Sequence, residues 1–354
     1  MNNINFLTID KISASYNSLS PVVNNISFSL NVGELGCLLG PSGCGKTTIL
    51  KAVSGFQNLT SGEILLDGIS LSKPNKIVEP EKRSIGMVFQ DHSLFPHLSI
   101  SENIGFGLNK KSKHNRDETI NNMLRLIGLE DQANKYPHEL SGGQNQRVAL
   151  ARAIAPKPKL LLMDEPFSNL DSELRESLGF EVRAILKEQN ITAIMVTHDQ
   201  NDAFALGDQI GVMSEGKLLQ WDSSYNLYHL PKSRFVAQFI GDGVFVKGRM
   251  INEGVVLTSF GEVQYKINGQ NNASKFVGKD VDLFLRPDDV KHDPKSSIRG
   301  HVIRKTFKGS QSLYTIKIES GDELMSLAPS QEEMKIGETI GLTIVADRLI
   351  CFEQ

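Results

Sequence analysis

Between Leu39 and Ile49 the chain reads Gly40-Pro41-Ser42-Gly43-Cys44-Gly45-Lys46-Thr47-Thr48, a stretch that leaves the backbone few choices. Before it lies Leu35-Gly36-Cys37-Leu38-Leu39, an apolar run short enough for a buried strand of a parallel sheet. After it, Ile49, Leu50 and Val53 form a short helical face that stops at Gly55. Strand, glycine-rich turn and helix is the context in which G-x-x-x-x-G-K-[ST] marks a phosphate site. Glycines let the loop curl so that successive N–H groups converge on phosphate oxygens, and the new helix adds its positive end. Lys46 is then placed to reach the β- and γ-phosphates, and the Thr47 hydroxyl to ligate Mg²⁺. A glycine-rich turn with an incidental lysine is the bland alternative, and the flanking strand and helix weigh against it.

A length of 354 residues suggests two domains, each with room for a core. The net charge is −3 and no block of Lys or Arg stands out, so no nucleic-acid partner is expected. Cys37, Cys44 and Cys351 show no paired spacing and read as reduced, cytoplasmic thiols. Met1-Asn2-Asn3-Ile4-Asn5 has neither a basic start nor an apolar core, so no signal peptide is expected. No apolar run approaches the ~18 residues of a membrane span, so membrane contact would come through a partner.

In chain order, residues 6–9 and 12–16 read as two short strands. Tyr16 at the end of the second is either a core or edge tyrosine or a ring that stacks on adenine. Residues 26–32 alternate as a half-exposed strand, and residues 62–68 form a hairpin arm ending in an Asp-Gly turn. A strand over 84–89 delivers Gln90 to a loop, and a helical insertion follows, with a helical subdomain over about 91–155. Ser141 caps a helix that opens with Gly142, Gly143 and Gln144, again exposing backbone N–H groups suited to an anion. Residues 160–163 are apolar and run into Asp164 and Glu165. A buried strand has no structural use for two adjacent acids at its end unless they face a cleft. One would serve the Mg²⁺ water shell and the other would polarise an attacking water. Residues 191–197 form another buried strand, which ends at His198, a structural or capping residue or a member of the site beyond the strand ends.

In this order the elements resemble the nucleotide-binding subunit of ATP-binding cassette transporters, over roughly residues 4 to 240. Residues 40–48 resemble its Walker A loop, Gln90 its Q-loop glutamine, and Leu140 to Gln144 its signature. Leu160 to Glu165 is similar to Walker B followed by the catalytic glutamate, and His198 to the switch histidine. Tyr16 falls where the family places its adenine-stacking aromatic. The resemblance implies an ATPase that works with Mg²⁺ as a head-to-tail homodimer. ATP would lie between the loop of one chain and Ser141, Gly142 and Gly143 of the other. It also implies that Thr47, Gln90 and Asp164 hold the metal, that Glu165 orients water, and that His198 contacts the γ-phosphate. Transmembrane permease subunits would dock on the helical insertion at the cytoplasmic face of the inner membrane, and an extracytoplasmic binding protein would act indirectly. Two positions depart from the pattern: Asn145 stands where a glutamine is usual, and Asn169 where an alanine is.

The expected fold class is α/β, a P-loop nucleotide-binding domain over 1–240 with its helical subdomain. A small all-β barrel domain is expected over 241–354 from its short, closely spaced strands, and the resemblance implies that it is oligonucleotide-fold-like. Arg286-Pro287-Asp288-Asp289-Val290 resembles a landmark of the regulatory domain appended to importer ATPases. The acidic balance argues against an oligonucleotide ligand. A soluble cassette acting on ribosomes or DNA is a rival reading, but there is a single Walker A and no long coiled coil. Residues 136–139 and 239–243 look most like ferric-iron importer ATPases, with polyamine or sugar importers as the alternative. His92, His97 and His138 read as loop and cap residues rather than iron ligands.

Overall fold

The computed structural model describes residues 5–16, 21–108, 112–168, 170–265, 273–346 and 348–354. Asn169 lies outside the described residues. The chain divides into two compact units, Met1–Ser224 and Tyr225–Gln354. Composition placed the boundary at 240/241; the compact division comes earlier because the helix Arg234–Ile240 and the turn before it are tied to the β unit. Arg286 contributes to that tie, donating to the carbonyls of Tyr228 (3.0 Å), Ala237 (3.0 Å) and Gly241 (2.9 Å), and the Tyr228 hydroxyl donates to Asp288 at 3.1 Å.

The first unit is built on a six-stranded sheet in the order Lys217–Asp222, Gln209–Ser214, Leu35–Leu39, Thr192–Thr197, Leu160–Asp164, Ile85–Val88. All neighbours are parallel except the edge hairpin formed by the first two. Every residue of Leu35–Leu39 and of Thr192–Thr197 is buried, as continuous apolar runs in a parallel sheet require. A second, antiparallel sheet runs Val23–Leu30, Leu7–Ala14, Ser61–Leu66, Ile69–Lys73, Lys76–Ile77. Its inward residues, among them Leu7, Ile9, Ile26 and Ile64, share one core with Ile49, Leu50, Leu162 and Ile194. The two strands expected at 6–9 and 12–16 are one strand, Leu7–Ala14. Its alternation breaks at a bulge, where Lys11 has φ +47° and the register shifts between Ile9 and Ile12. The Asp67-Gly68 turn is present, with both residues at positive φ.

The helical insertion carries Ile100–Gly105, Lys113–Leu126 and Gly142–Ile154 around a core of its own, including Ile104, Leu124 and Val148. The second unit holds two five-stranded antiparallel sheets around one core, with Tyr314, Ile316, Leu283 and Leu342 fully buried or nearly so. The all-β expectation stands.

Arg83 is the largest fully buried side chain of the first unit, 2 % exposed. Its guanidinium donates to the carbonyls of Val78, Ala52, Val53 and Leu71 and to Ser72 Oγ, so it closes the C-terminal end of the helix Lys46–Ser54. Burial lowers its pKa to about 10, which leaves it charged at neutral pH. Arg83→Ala strips those carbonyls of their donors and is expected to cost about 3 kcal/mol. Denaturant unfolding followed through the first unit checks this, as a lower midpoint with the slope unchanged.

Candidate active site

The parallel strands end at one level. Leu39 pairs with Thr197, Asp164 with Val196, and Val88 with Met163. Gly40, His198 and Glu165 follow these ends directly and Gln90 comes two residues after Val88, so all four leave the sheet along one edge, where ligands of open α/β sheets bind.

At the first of these ends the chain turns tightly. A Cβ on Gly40 would lie 2.3 Å from the Met213 carbonyl oxygen, so no larger residue fits. Gly45 adopts φ +102° as it enters the helix Lys46–Ser54, a conformation that favours glycine. Lys46 is 6 % exposed, and its Nζ folds back to donate to the carbonyls of Gly40 (2.7 Å) and Pro41 (3.0 Å). Cys44 Sγ lies 3.8 Å from that ammonium. Burial raises the Cys44 thiol above its ordinary range against the pull of Lys46, which fits a small packing residue rather than a nucleophile. Pro41, Ser42 and Gly43 form the exposed rim of the loop.

Thr47 Oγ1 donates to Asp164 Oδ1 at 3.2 Å, joining the loop to the end of Leu160–Asp164. Burial raises the Asp164 carboxyl above its usual range, the Thr47 hydrogen bond opposes this, and Glu165 adds to it. A hydroxyl and a carboxylate side by side, with phosphates to complete the shell, suit a hard cation such as Mg²⁺. Glu165 turns off the strand at φ +44°, unusual for a side-chain-bearing residue, while its N–H still donates to the Val196 carbonyl at 2.9 Å. Ser168 pins the turn from the other side, its N–H (3.2 Å) and Oγ (3.0 Å) both donating to the Glu165 carbonyl. This backbone aims Glu165 Oε2 at His198 Nδ1, 3.0 Å away. A carboxylate and an imidazole in contact beside a phosphate loop can orient and deprotonate water.

Tyr16 is not a core residue. Its ring is 56 % exposed, and its hydroxyl lies 3.3 Å from Thr48 Oγ1, which puts a free aromatic face next to the loop. Gln90 is exposed beyond its strand. Ser141, Gly142, Gly143 and Gln144 are not joined to the loop of their own chain. Ser141 and Gln144 form a reciprocal capping box, and both Ser141 and Gly142 face solvent. Asn145 donates through Nδ2 to the Pro137 carbonyl at 3.0 Å, so this departure has a local structural role.

Sequence reasoning passed over Arg152. Its guanidinium donates to the carbonyls of Ser93 (2.7 Å) and His92 (3.0 Å), two successive residues at positive φ just after Gln90. The signal was an arginine in the last turn of an otherwise apolar helix face. Among the described residues, no group of three or more His, Cys, Asp or Glu is arranged to hold a metal ion. His97 instead packs edge-on to Phe95, and His138 stacks on Tyr136.

Residues 23–168 match the ABC transporter family, and residues 283–352 match the TOBE domain. The chain is similar to the spermidine/putrescine import ATP-binding protein PotA of Pseudomonas fluorescens, 39 % identical over 332 residues, covering 91 % of this chain and 90 % of that one. It is 35 % identical over 340 residues to the Fe(3+) ions import ATP-binding protein FbpC of Fusobacterium nucleatum, covering 94 % and 90 %. Among solved structures it resembles a dimeric ATP-binding cassette in a post-hydrolysis state bound to ADP and Pi. That match has a TM-score of 0.54 and 30 % identity, and covers 61 % of this chain and 98 % of the other.

With Lys46 buried against the loop, Lys46→Ala removes a cationic side chain folded onto it. Nucleotide affinity should fall by about tenfold or more. Titration with a fluorescent ATP analogue checks this, and an unchanged Kd would remove Lys46 from the site.

Proposed function

The chain belongs to the ABC transporter family as an ATP-hydrolysing subunit, and from that premise we propose that it powers polyamine uptake through partner permease subunits. The contact between Glu165 and His198, at the sheet edge beside Thr47 and Asp164, carries the mechanistic part. Lys46 and the loop N–H groups compensate phosphate charge, and Tyr16 offers its exposed ring to the adenine. Thr47, Asp164 and Gln90 would hold Mg²⁺, which supplies neutralisation of the phosphate oxygens when bound with the nucleotide. Glu165 orients the attacking water and accepts its proton, and His198 contacts the γ-phosphate.

Ser141, Gly142 and Gly143 are exposed or at a helix start and unattached to their own loop, which supports a role toward a second copy's nucleotide. The similar solved cassette, dimeric and bound to ADP and Pi, supports an assembly of two copies. Among the described residues, no helix is long and apolar enough to cross a membrane, which is why the reading assigns translocation to permease partners. The relatives named for spermidine and putrescine support polyamine over the ferric iron favoured from residues 136–139 and 239–243. The iron-named relative covers as much of the chain at lower identity.

Glu165→Gln keeps the size and hydrogen bonding of the side chain but not its basicity. It should lower kcat by about 10² or more while ATP binding persists. Turnover at the wild-type rate would take Glu165 out of the reaction. For the cargo, the chain is rebuilt with its permease in proteoliposomes and its ATPase rate compared with polyamine-loaded, ferric-loaded and sugar-loaded binding proteins. Stimulation by the polyamine receptor alone is expected. Stimulation by the ferric receptor alone would restore the iron reading and leave the ATPase untouched.

A further inference from the structure

His198 is poorly held by packing. Its side chain is 55 % exposed, and among the described residues its one polar partner is Glu165 Oε2. Its position therefore depends on the backbone on either side. Thr197 on the sheet side is buried and in register with Leu39. Asp199 on the other side belongs to the turn that caps the helix Gln200–Leu206. A side chain from a different element reaches that turn. Arg175, in the first turns of the helix Ser172–Glu188, donates from Nη1 to Asp199 Oδ2 at 2.7 Å.

The other fork of the same guanidinium goes elsewhere. Arg175 Nη2 donates to the Leu170 carbonyl at 3.2 Å. Leu170 lies on the segment that leaves Glu165, whose carbonyl Ser168 holds. The planar group thus spans the two loops that carry the carboxylate and the imidazole. Both members of the ion pair are about a quarter exposed, so solvent screens the attraction, and its contribution to stability is modest. A fixed fork with two acceptors is better suited to setting the spacing of two loops, a task a lysine with one point charge performs poorly. Asp199 is itself prepared for this: its Oδ1 accepts from the Asn201 N–H at 2.8 Å, and its own N–H donates to Thr197 Oγ1 at 3.0 Å.

We propose that Arg175 is a positioning residue for hydrolysis, holding the His198 loop through Asp199, and Leu170, whose N–H donates to the Phe167 carbonyl two residues past Glu165, at the separation that keeps imidazole and carboxylate in contact. Its catalytic consequence rests on the roles given above to Glu165 and His198; its structural content does not. Arg175 touches no reacting atom.

The test uses the full chain. Arg175→Met keeps much of the side-chain length and removes the fork. Its kcat for ATP should fall by about tenfold with KM within about twofold of wild type, because misplacing a catalytic pair affects the transition state more than binding. Arg175→Lys should recover part of that loss. In a His198→Ala background, Arg175→Met should cost less than about twofold more, since the group it positions is gone. Equal losses in both backgrounds, or a rise in KM alone, would overturn the proposal, as would an unchanged kcat in a folded Arg175→Met protein. A crystal structure of Arg175→Met separates the two layers. His198 should no longer lie within hydrogen-bond distance of Glu165, and an unaltered pair would refute the positioning role. If His198→Ala alone hydrolyses at the full rate while Arg175→Met crystals show the imidazole swung away from Glu165, the role given to His198 fails and the positioning stands.

Discussion

Parallel pairing with both faces buried is the constraint from which the site follows. A strand such as Leu35–Leu39, apolar throughout and enclosed by Thr192–Thr197 and Gln209–Ser214, cannot slip by a residue without moving its whole side-chain set. Once Leu39 is opposite Thr197 and Asp164 opposite Val196, Gly40, Glu165 and His198 have no choice of level. The register of the core strands brings the loop after Leu39, the two acids and the imidazole to one edge, and the contacts Thr47–Asp164 and Glu165–His198 join them there. The strain at Glu165, with φ +44°, is tolerable because the Val196 carbonyl and Ser168 fix the backbone on both sides.

Much of this was legible in the sequence because the strands are short, apolar and end in polar residues of distinct type. The apolar runs before Gly40, Asp164 and His198 announce both the strand and its end, so the sheet edge could be read without knowing the strand order. The Asp67-Gly68 turn was legible for a different reason, since few dipeptides accept two successive positive φ values. The break at Lys11 was not legible. A bulge preserves the hydrophobic set on both sides while shifting phase, and a periodicity reading takes that for two strands.

Arginines account for most of what the sequence concealed. Arg83, Arg152, Arg175 and Arg286 each donate to backbone carbonyls at the end of a helix or in a loop. Such partners carry no sequence signature, because every residue has a carbonyl. A buried arginine also looks like any other charged residue until the fold brings four or five acceptors to it. Arg286 shows the consequence for domain boundaries. Composition changes where the strands begin, but the preceding helices are tied to the β unit by side chains well inside it, Arg286 and Asp288 among them, and by Arg234 reaching Asp282.

The residues that look most like those of ferric-iron importers also have structural partners of their own. Tyr136-Pro137-His138-Glu139 is a short capped turn in which the Tyr136 N–H donates to Glu139 Oε2 at 2.7 Å and the Pro137 carbonyl accepts from Asn145. Its residues are there to start the helix Gly142–Ile154 at the right angle. Around Phe239 to Gly243, the Gly241 carbonyl serves Arg286, and a Cβ on Gly243 would lie 2.4 Å from the Phe284 ring. That segment is set by the exit from the helix Arg234–Ile240 into the first strand of the β unit. Both stretches have local structural roles in this chain. Structural roles of this kind do not point to a solute, so cargo is better read from relatives and from the assembled transporter.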